Sequence, residues 1–505
     1  MSLVIKQSSA ALYKKYVQRL QKIADVKYAA AVLQWDQETY MPAKGADYRA
    51  QQLATLSEIA HQLYTQTSFK KILLQLKDAS DLSDEQQKNI ALSWYDFTQQ
   101  EKLTPAFVRK LSTTVSKSFQ AWMEARGNNK FSLFQKDLAA LVKLKQQEAD
   151  MLGYEAHAYN ALINQYEKDC TVAELDRVFD ALQIPLKKLL NQIAAQPQVS
   201  DAILQQNYPA ATQWQWGLDI MKQMGFDFEA GRQDKSEHPF TTNFSSQDVR
   251  LTTRIDENDF SNMTWSCIHE LGHGLYEQGL PATSYGLPLG EYASLSIHES
   301  QSRLWENNVG RSQAAWHYLL SIAQKYFLQQ LGSTTPETFY KAINKVSPSL
   351  IRTEADELTY HFHVIIRYQL EKALIAGQLP VKEIPAFWNE QYQQYLGVTV
   401  PNDKQGCLQD VHWSHGSFGY FPTYSLGSLY AAQFYGAAKK QLPGLEERIR
   451  KGHFQPLLEW LRTNVHAHGR RYNSQQLCQR ISGEPLNIDY FISYALDKYR
   501  NIYEF

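Results

Sequence analysis

Hydrophobic positions recur every three or four residues along much of the chain, a period that predicts helices. The clearest case begins at Thr104 and Pro105, residues typical of the first positions of a helix, and ends at Gly127, typical of a helix terminus. Between them runs an apolar stripe of Phe107, Val108, Leu111, Val115, Phe119 and Trp122. Segments of this kind predict a mainly α-helical protein.

Two further patterns define helix positions. Ser83 and Gln86 have the spacing of a capping box, in which each side chain binds the other residue's backbone N–H at the start of a helix. Residues 356–376 contain few helix breakers, and we predict one long helix there.

One segment, residues 247–255, has a period of two instead. Val249 and Leu251 alternate with polar residues that include Asp248 and Arg250, which predicts a strand with one polar face. We therefore expect a small sheet within the helical body. The polar face is either part of a substrate groove or the solvent side of an edge strand, and the periodicity alone favours the edge strand.

Composition agrees with a single domain over residues 1–505. The chain has 24 Gly and 17 Pro, fewer than is usual at this length, and no repeat or linker-like segment. Its net charge of −1 removes the main electrostatic argument for a nucleic acid or an anionic membrane as partner.

No apolar run approaches the length of a membrane span, and Met1 to Leu20 has no apolar signal-peptide core. The four cysteines are far apart, which excludes a disulfide scaffold. We expect a cytoplasmic protein.

The sequence His269-Glu270-Leu271-Gly272-His273 contains the HExxH pattern. Residues four apart share one helix face, so His269 and His273 can bind one metal ion, and Glu270 lies where it can contact a water on that metal. Gly272 and Gly274 are unfavourable within a helix, so another part of the chain should approach the helix closely there. These features predict a zinc site.

A hydrolytic zinc site needs a third protein ligand and an open position. Glu299 lies 26 residues after His273 in a segment that reads as helix, and its spacing makes it our first candidate. Glu277 and Glu291 are the rivals. Glu277 is on the same helix as the histidines and would have to reach back over the metal, whereas Glu291 follows a Pro/Gly turn and remains open. His298 is more typical of a supporting histidine than of a ligand.

A glycine-punctuated aromatic segment, residues 409–424, contains four further candidates: His412, His415, Tyr420 and Tyr424. A loop of this kind can stabilise a transition state. It can equally be an ordinary packed aromatic loop, and the residues alone do not separate these two readings.

Several sequence blocks, in a shared order, make the chain similar to the thermostable metallocarboxypeptidases typified by carboxypeptidase Taq. The blocks are QWDQETYMP at 34–42, HPF at 238–240, DxRxT at 248–252, HExxH at 269–273, HES(G/Q)SR at 298–303, IRxxAD at 351–356 and GxxQDxHW at 406–413. HExxH alone occurs in many peptidases, but the combination is specific. The motif-bearing catalytic part covers about residues 238–424.

The resemblance implies a helical fold with a long substrate groove and a small β-sheet near the zinc site, in a protein that is usually a homodimer. It implies Zn²⁺, for which Co²⁺ can substitute, with Glu299 as third ligand. The implied activity is removal of single residues from the C-termini of peptides, with broad preference.

These observations suggest a mechanism. Glu270 acts as general base on a water and then as acid toward the leaving amine, while Tyr420 or Tyr424 stabilises the oxyanion. An exopeptidase must also bind the free α-carboxylate, for which an arginine is suited by its two-pronged donor geometry. Arg352 is our first candidate and Arg250 the second. The alternative for Arg352 is an internal ion pair, with Asp356 as the obvious partner.

Two other functions compete with a carboxypeptidase. An oligopeptidase that cuts internally would share HExxH and a distal glutamate. A non-catalytic peptide-binding protein with a structural metal is disfavoured by Glu270, because a structural site has no use for a base, and such sites usually have four protein ligands.

Overall fold

The structure is a computed structural model that describes residues 8–505. It is 70% helical, with 21 α-helices in the described chain, so the predicted mainly α-helical class is confirmed. The helices are α1 Ser9–Thr39, α2 Ala46–Thr65, α3 Thr67–Lys77, α4 Asp84–Lys102, α5 Pro105–Gly127, α6 Gln135–Leu152, α7 Tyr159–Ile163, α8 Val172–Ala194, α9 Ala210–Met224, α10 Phe260–Gly279, α11 Leu295–Arg303, α12 Gln313–Tyr326, α13 Leu328–Leu331, α14 Pro336–Ile343, α15 Tyr360–Ile375, α16 Ile384–Leu396, α17 Pro422–Gln441, α18 Leu445–Arg450, α19 Gln455–Asn464, α20 Ser474–Ser482 and α21 Asp489–Tyr503.

Local capping determines where several helices begin. The Thr104 side chain accepts a hydrogen bond from the backbone N–H of Phe107 at the start of α5, and Ser83 forms the predicted capping box with Gln86 at the start of α4. The helix predicted from residue 356 begins four residues later. Asp356 instead accepts hydrogen bonds from the backbone N–H groups of the turn that precedes α15, a role that holds it outside the helix.

The sheet has three strands, β1 Gly231–Lys235, β2 Thr241–Ser245 and β3 Asp248–Thr253, in the order β1-β3-β2. The predicted strand is confirmed, but the expectation that it is an edge strand is wrong. It is the central strand, parallel to β1 and antiparallel to β2. Its apolar face packs on α10, where a Cβ at Gly274 would lie 3.1 Å from the side chain of Leu251.

Two hydrophobic clusters form the core of the described chain. The larger joins the sheet to most helices from α5 onward. The smaller joins α1, α3 and α4, and its only member from beyond residue 100 is Leu287. Within residues 8–505, no helix combines the length and apolar character that a membrane span requires. The expectation of one domain over residues 1–505 stays a prediction, and residues 1–7, part of the segment considered for a signal peptide, lie outside the described residues.

Candidate active site

The HExxH residues lie on α10, with both histidines on one face. The His269 and His273 rings are 4.9 Å apart, centroid to centroid. Gly272 lies where α10 meets α11, and a Cβ at this position would be 2.5 Å from the backbone oxygen of Gln301. The predicted close approach at this glycine is therefore present, because only a residue without a side chain allows the two helices to touch at the level of the candidate metal ligands.

Glu299 projects from α11 toward both histidines. Its Oε2 atom lies 3.7 Å from His269 Nε2 and 3.5 Å from His273 Nε2. A third helix, α17, closes over the carboxylate, and a Cβ at Gly427 would lie 2.5 Å from Glu299 Cγ. Burial opposes ionisation of Glu299, but Arg303 and His269 hold its pKa well below the usual value.

These three residues fit a zinc ion. Their ligand atoms lie within 4.8 Å of one another. Tetrahedral zinc with bonds of about 2.0–2.2 Å requires ligand atoms roughly 3.3–3.6 Å apart, close to the distances between Glu299 Oε2 and the two imidazoles. Two imidazoles and one carboxylate are also a donor set found in catalytic zinc sites, which keep a fourth position for water or substrate.

Glu306 supports the first histidine. Its Oε2 lies 2.8 Å from His269 Nδ1, the ring nitrogen that faces away from the proposed metal. Arg303 and Arg311 both donate hydrogen bonds to Glu306. Glu306 therefore fixes the ring orientation of His269 and leaves Nε2 free to bind a metal.

A longer chain of contacts supports the second histidine. His273 Nδ1 lies 2.6 Å from His298 Nδ1, and His298 Nε2 lies 2.7 Å from Glu277 Oε1. Asn243 of β2 donates a hydrogen bond of 2.7 Å to the other oxygen of Glu277. If His273 binds metal through Nε2, its Nδ1–H donates to His298, which in turn donates to the Glu277 carboxylate. Glu277, a rival candidate for the third ligand, therefore binds His298 and Asn243 and does not join His269 and His273 directly.

Glu270 is buried beside the two histidines. Thr241 of β2 donates a 2.6 Å hydrogen bond to Glu270 Oε2, which connects the small sheet to the candidate base. Burial raises the pKa of this carboxyl above its usual value, as expected for a group that gives and takes protons.

Arg352 is buried and forms an internal ion pair, although the partner is Asp410 and not Asp356. Arg352 Nε lies 3.1 Å from Asp410 Oδ1, and Nη1 donates to the hydroxyl of Tyr360 at 2.9 Å. The guanidinium also lies 4.7 Å from the ring centroid of Tyr424. An arginine has five N–H donors, so these contacts leave some of them for a substrate.

His412, Tyr420 and Tyr424 are brought together on one side of the site. His412 Nε2 lies 3.2 Å from the Tyr424 hydroxyl, and the two tyrosine rings are 5.2 Å apart. Burial and the nearby Glu299 raise the pKa of Tyr420 to about 12, which keeps the phenol protonated and able to donate. Burial, reinforced by Arg352, lowers the pKa of His412 to about 3, so its imidazole is neutral.

His415 takes a different position. It is exposed, and its ring lies 4.9 Å from the ring of Phe119 on α5. This contact gives His415 a packing role on the outer side of the segment.

Arg250 and Asp248 pair with each other on β3, with 2.9 Å between Arg250 Nε and Asp248 Oδ1. The Arg250 guanidinium lies 4.4 Å from the ring centroid of Trp35 and 4.8 Å from that of Phe244. Trp35 belongs to the 34–42 block at the end of α1. The polar face of the central strand therefore contacts the N-terminal helices, which explains why this face is not simply solvated.

Sequence reasoning missed Glu306 and Thr241 and left His298 only a general supporting role. Glu306 lies in a π-helical segment, Leu304–Gly310, and its contact is with His269, 37 residues away, so no local spacing predicts it. Thr241 reaches Glu270 through the pairing of β2 with the sheet. Two histidines and a glutamate around one point, beside a buried carboxyl, form a centre of the HExxH metallohydrolase class.

Comparison with known proteins identifies the family. The model of the carboxypeptidase Taq (M32) metallopeptidases matches residues 15–499. Thermostable carboxypeptidase 1 of Thermus thermophilus is 37% identical, over 98% of this chain and 99% of that protein. Carboxypeptidase 1 of Bacillus subtilis is 36% identical, over 97% of this chain and 98% of its own length. The crystal structure of an M32 carboxypeptidase from Deinococcus radiodurans matches with a TM-score of 0.96 and 38% identity, over 98% of this chain and 100% of that one. The chain belongs to the carboxypeptidase Taq family and is a metallocarboxypeptidase.

Proposed function

We propose that the protein is a zinc-dependent carboxypeptidase that removes single residues from the C-termini of peptides with broad preference. One observation carries the proposal: His269, His273 and Glu299 converge within 4.8 Å beside the buried carboxyl of Glu270. These three residues would hold the zinc ion. When bound, zinc lowers the pKa of water toward about 7 and polarises a peptide carbonyl, and Co²⁺ is expected to substitute for it.

The general base of this mechanism is Glu270. Its carboxylate takes a proton from the attacking water and then gives it to the amine that leaves. Thr241 holds one carboxylate oxygen in place, and burial favours the protonated form from which the second transfer takes place.

Tyr420 or Tyr424 supplies the donor for the oxyanion. Each phenol remains protonated, because burial raises the pKa of both. A preorganised donor of this kind contributes about 2.7–4 kcal/mol to the transition state. The neutral His412, next to Tyr424, is suited to orient that hydroxyl or to contact the substrate directly. His415 is the weaker candidate for substrate binding because it lies on the outer side of the segment.

We infer that Arg352 binds the α-carboxylate of the substrate, with Arg250 as the second candidate. Asp248, which pairs with Arg250, stays a candidate for contact with other parts of the substrate. Arg352 lies against Tyr424, one of the two oxyanion candidates, at 4.7 Å. Arg250 packs on the rings of Trp35 and Phe244. The closer association with the tyrosines favours Arg352.

The decisive experiment is a mass-spectrometric time course on one peptide, as the free acid and as the C-terminal amide, with and without a chelator. We expect a ladder that loses one C-terminal residue at a time, only from the free acid and only without chelator. Internal fragments from both peptides would instead identify an oligopeptidase. Intact peptides in the presence of bound zinc would indicate a narrow specificity or a binding protein.

Two further proposals concern assembly and location, and the homodimer rests on the family resemblance alone. We expect a homodimer that acts on free peptides in the cytoplasm. Light scattering during gel filtration tests the first point, since a dimer would have twice the 58.2 kDa mass of the chain. Fractionation of source cells tests the second.

A further inference from the structure

A fully buried carboxylate, Glu371 of α15, lies beneath the segment that carries His412 and Tyr420. The Nε1–H of Trp413 donates a 2.8 Å hydrogen bond to Glu371 Oε1. The backbone N–H of Gly419 donates a 2.9 Å hydrogen bond to Oε2. One carboxylate thus holds both ends of the 413–419 loop.

A third donor comes from outside this loop. The hydroxyl of Tyr159 on α7 donates to Glu371 Oε2. The charge of Lys145 on α6 lowers the pKa of Glu371, but Lys145 itself pairs with Glu148. In the described part of the chain Glu371 forms no ion pair. Hydrogen bonds from neutral donors must therefore compensate for the loss of water around its charge, which otherwise lowers the stability of the folded protein.

The loop has little freedom to find another position. Gly419 has a φ of +95°, and a Cβ there would lie 2.7 Å from the backbone of Leu162. The next residue is Tyr420, whose ring lies 5.3 Å from that of Tyr166. The hydrogen bond at Gly419 therefore fixes the backbone directly before a candidate oxyanion donor.

We propose that Glu371 is a positioning residue that holds the 413–419 loop and through it places the Tyr420 hydroxyl for catalysis. The carboxylate is specifically required because an amide of the same size offers only one acceptor oxygen for three donors. The inference rests on the proposed function only in assigning Tyr420 a catalytic task; the anchoring of the loop does not depend on it.

Burial raises the pKa of Glu371 to about 7. The groups that face it are the Tyr159 and Trp413 donors, the Gly419 amide, Lys145 and Tyr166. Protonation would turn one acceptor oxygen into a donor, so the anchor should weaken as pH falls below about 7.

The kinetic test compares Glu371→Gln with Glu357→Gln, a matched change of a carboxylate with a buried side chain that pairs with Lys498 of α21 and lies outside the loop. We expect Glu371→Gln to lower kcat about 10- to 100-fold, the size of effect that a displaced catalytic group causes, with KM and metal content close to wild type. Glu357→Gln should keep kcat within about twofold. Unchanged kcat in Glu371→Gln, or equal losses in both variants, would overturn the proposal.

A double variant tests whether Glu371 acts through Tyr420. If it does, Glu371→Gln combined with Tyr420→Phe should be no slower than Tyr420→Phe alone, since the two changes remove one contribution. Losses that multiply would show that Glu371 acts independently of Tyr420 and would contradict the inference.

A spectroscopic test needs no catalysis and so separates this inference from the proposed function. In protein labelled with 5-fluorotryptophan, the Trp413 resonance is assigned by its absence in Trp413→Phe. We expect it to titrate near pH 7 and to lose this titration in Glu371→Gln. Titration that persists in that variant would assign the effect to another group, such as the exposed His415, and would overturn the anchor. A metallopeptidase assay that fails while this signal is present would refute the function and not the anchor.

Discussion

At the scale of the single residue, Glu270 combines burial with a fixed orientation. We expect Glu270→Gln to lower kcat by about 10²- to 10⁴-fold, the usual contribution of a general base, because the amide cannot accept the proton of the water. Its size and its contact with Thr241 are otherwise retained. Metal content, measured by mass spectrometry of the purified variant, should not change.

The exposed Glu237 offers a matched control, and Glu237→Gln should behave as wild type. If Glu270→Gln kept wild-type turnover, the assignment of the base would be wrong. If it lost its metal, the defect would lie in binding and not in proton transfer.

Arg352 can be tested without loss of the fold, because Asp410 retains a second arginine, Arg367, at 2.6 Å. We expect Arg352→Ala to weaken binding of a free-acid peptide at least tenfold and to leave binding of the amidated peptide unchanged. Calorimetry in a Glu270→Gln background measures both without turnover. Equal weakening for both peptides would show that Arg352 has only a structural role.

The contact between His298 and His273 should increase the affinity of the site for zinc. His298→Phe leaves the Nδ1–H of His273 without an acceptor and removes one of the two donors to Glu277, and we expect zinc affinity to fall about 10- to 100-fold. His298→Gln provides an acceptor and a donor in one side chain and should recover part of the loss. Competition with a chromogenic chelator measures both. Equal affinity of the Phe variant and wild type would exclude this supporting role.

At the scale of the element, the site depends on close contact between α10 and α11. We expect Gly272→Ala to destabilise the protein by about 1–3 kcal/mol, the usual cost of overpacking, because its Cβ meets the backbone of α11. The same shift separates His273 from Glu299, so zinc affinity should fall with stability. Urea unfolding and metal titration measure the two effects.

Gly127 provides the control for this change. A Cβ there has no atom within 4 Å, so Gly127→Ala should be neutral or stabilising by up to about 1 kcal/mol. A Gly272→Ala variant as stable as Gly127→Ala would show that the two helices can separate without cost.

Some features of these helices and strands could be predicted from the sequence and others could not. The starts of α4 and α5 were predicted because their signals are local: a side chain binds a backbone group three residues away. The position of the predicted strand within the sheet was wrong, because it depends on pairing with β1 and β2. Glu306 and Glu371 were not identified for the same reason, since each contacts its partner across a distance that no spacing rule describes.

At the scale of the whole molecule, Asp410 joins three separate parts of the chain. It pairs with Arg352, which precedes α15, and with Arg367 within α15, and it belongs to the segment that leads to His412. Although burial opposes its ionisation, Arg367 and Arg352 hold the pKa of Asp410 well below its usual range. A carboxylate whose pKa is lowered by folding stabilises the protein fully at pH values above its unfolded pKa of about 3.9. This contribution is lost as pH falls from there to the lower pKa of the folded protein.

We therefore expect Asp410→Asn to lower the free energy of unfolding by about 3–5 kcal/mol at pH 7, because two buried arginines lose their partner. The difference from wild type should shrink as pH falls below about 4, because the unfolded wild-type chain then takes up a proton on this carboxylate that the folded protein does not. Urea unfolding at several pH values measures this convergence, and the exposed Asp497→Asn on α21 serves as control. A difference that stays constant with pH would mean that Asp410 contributes through packing and not through its charge.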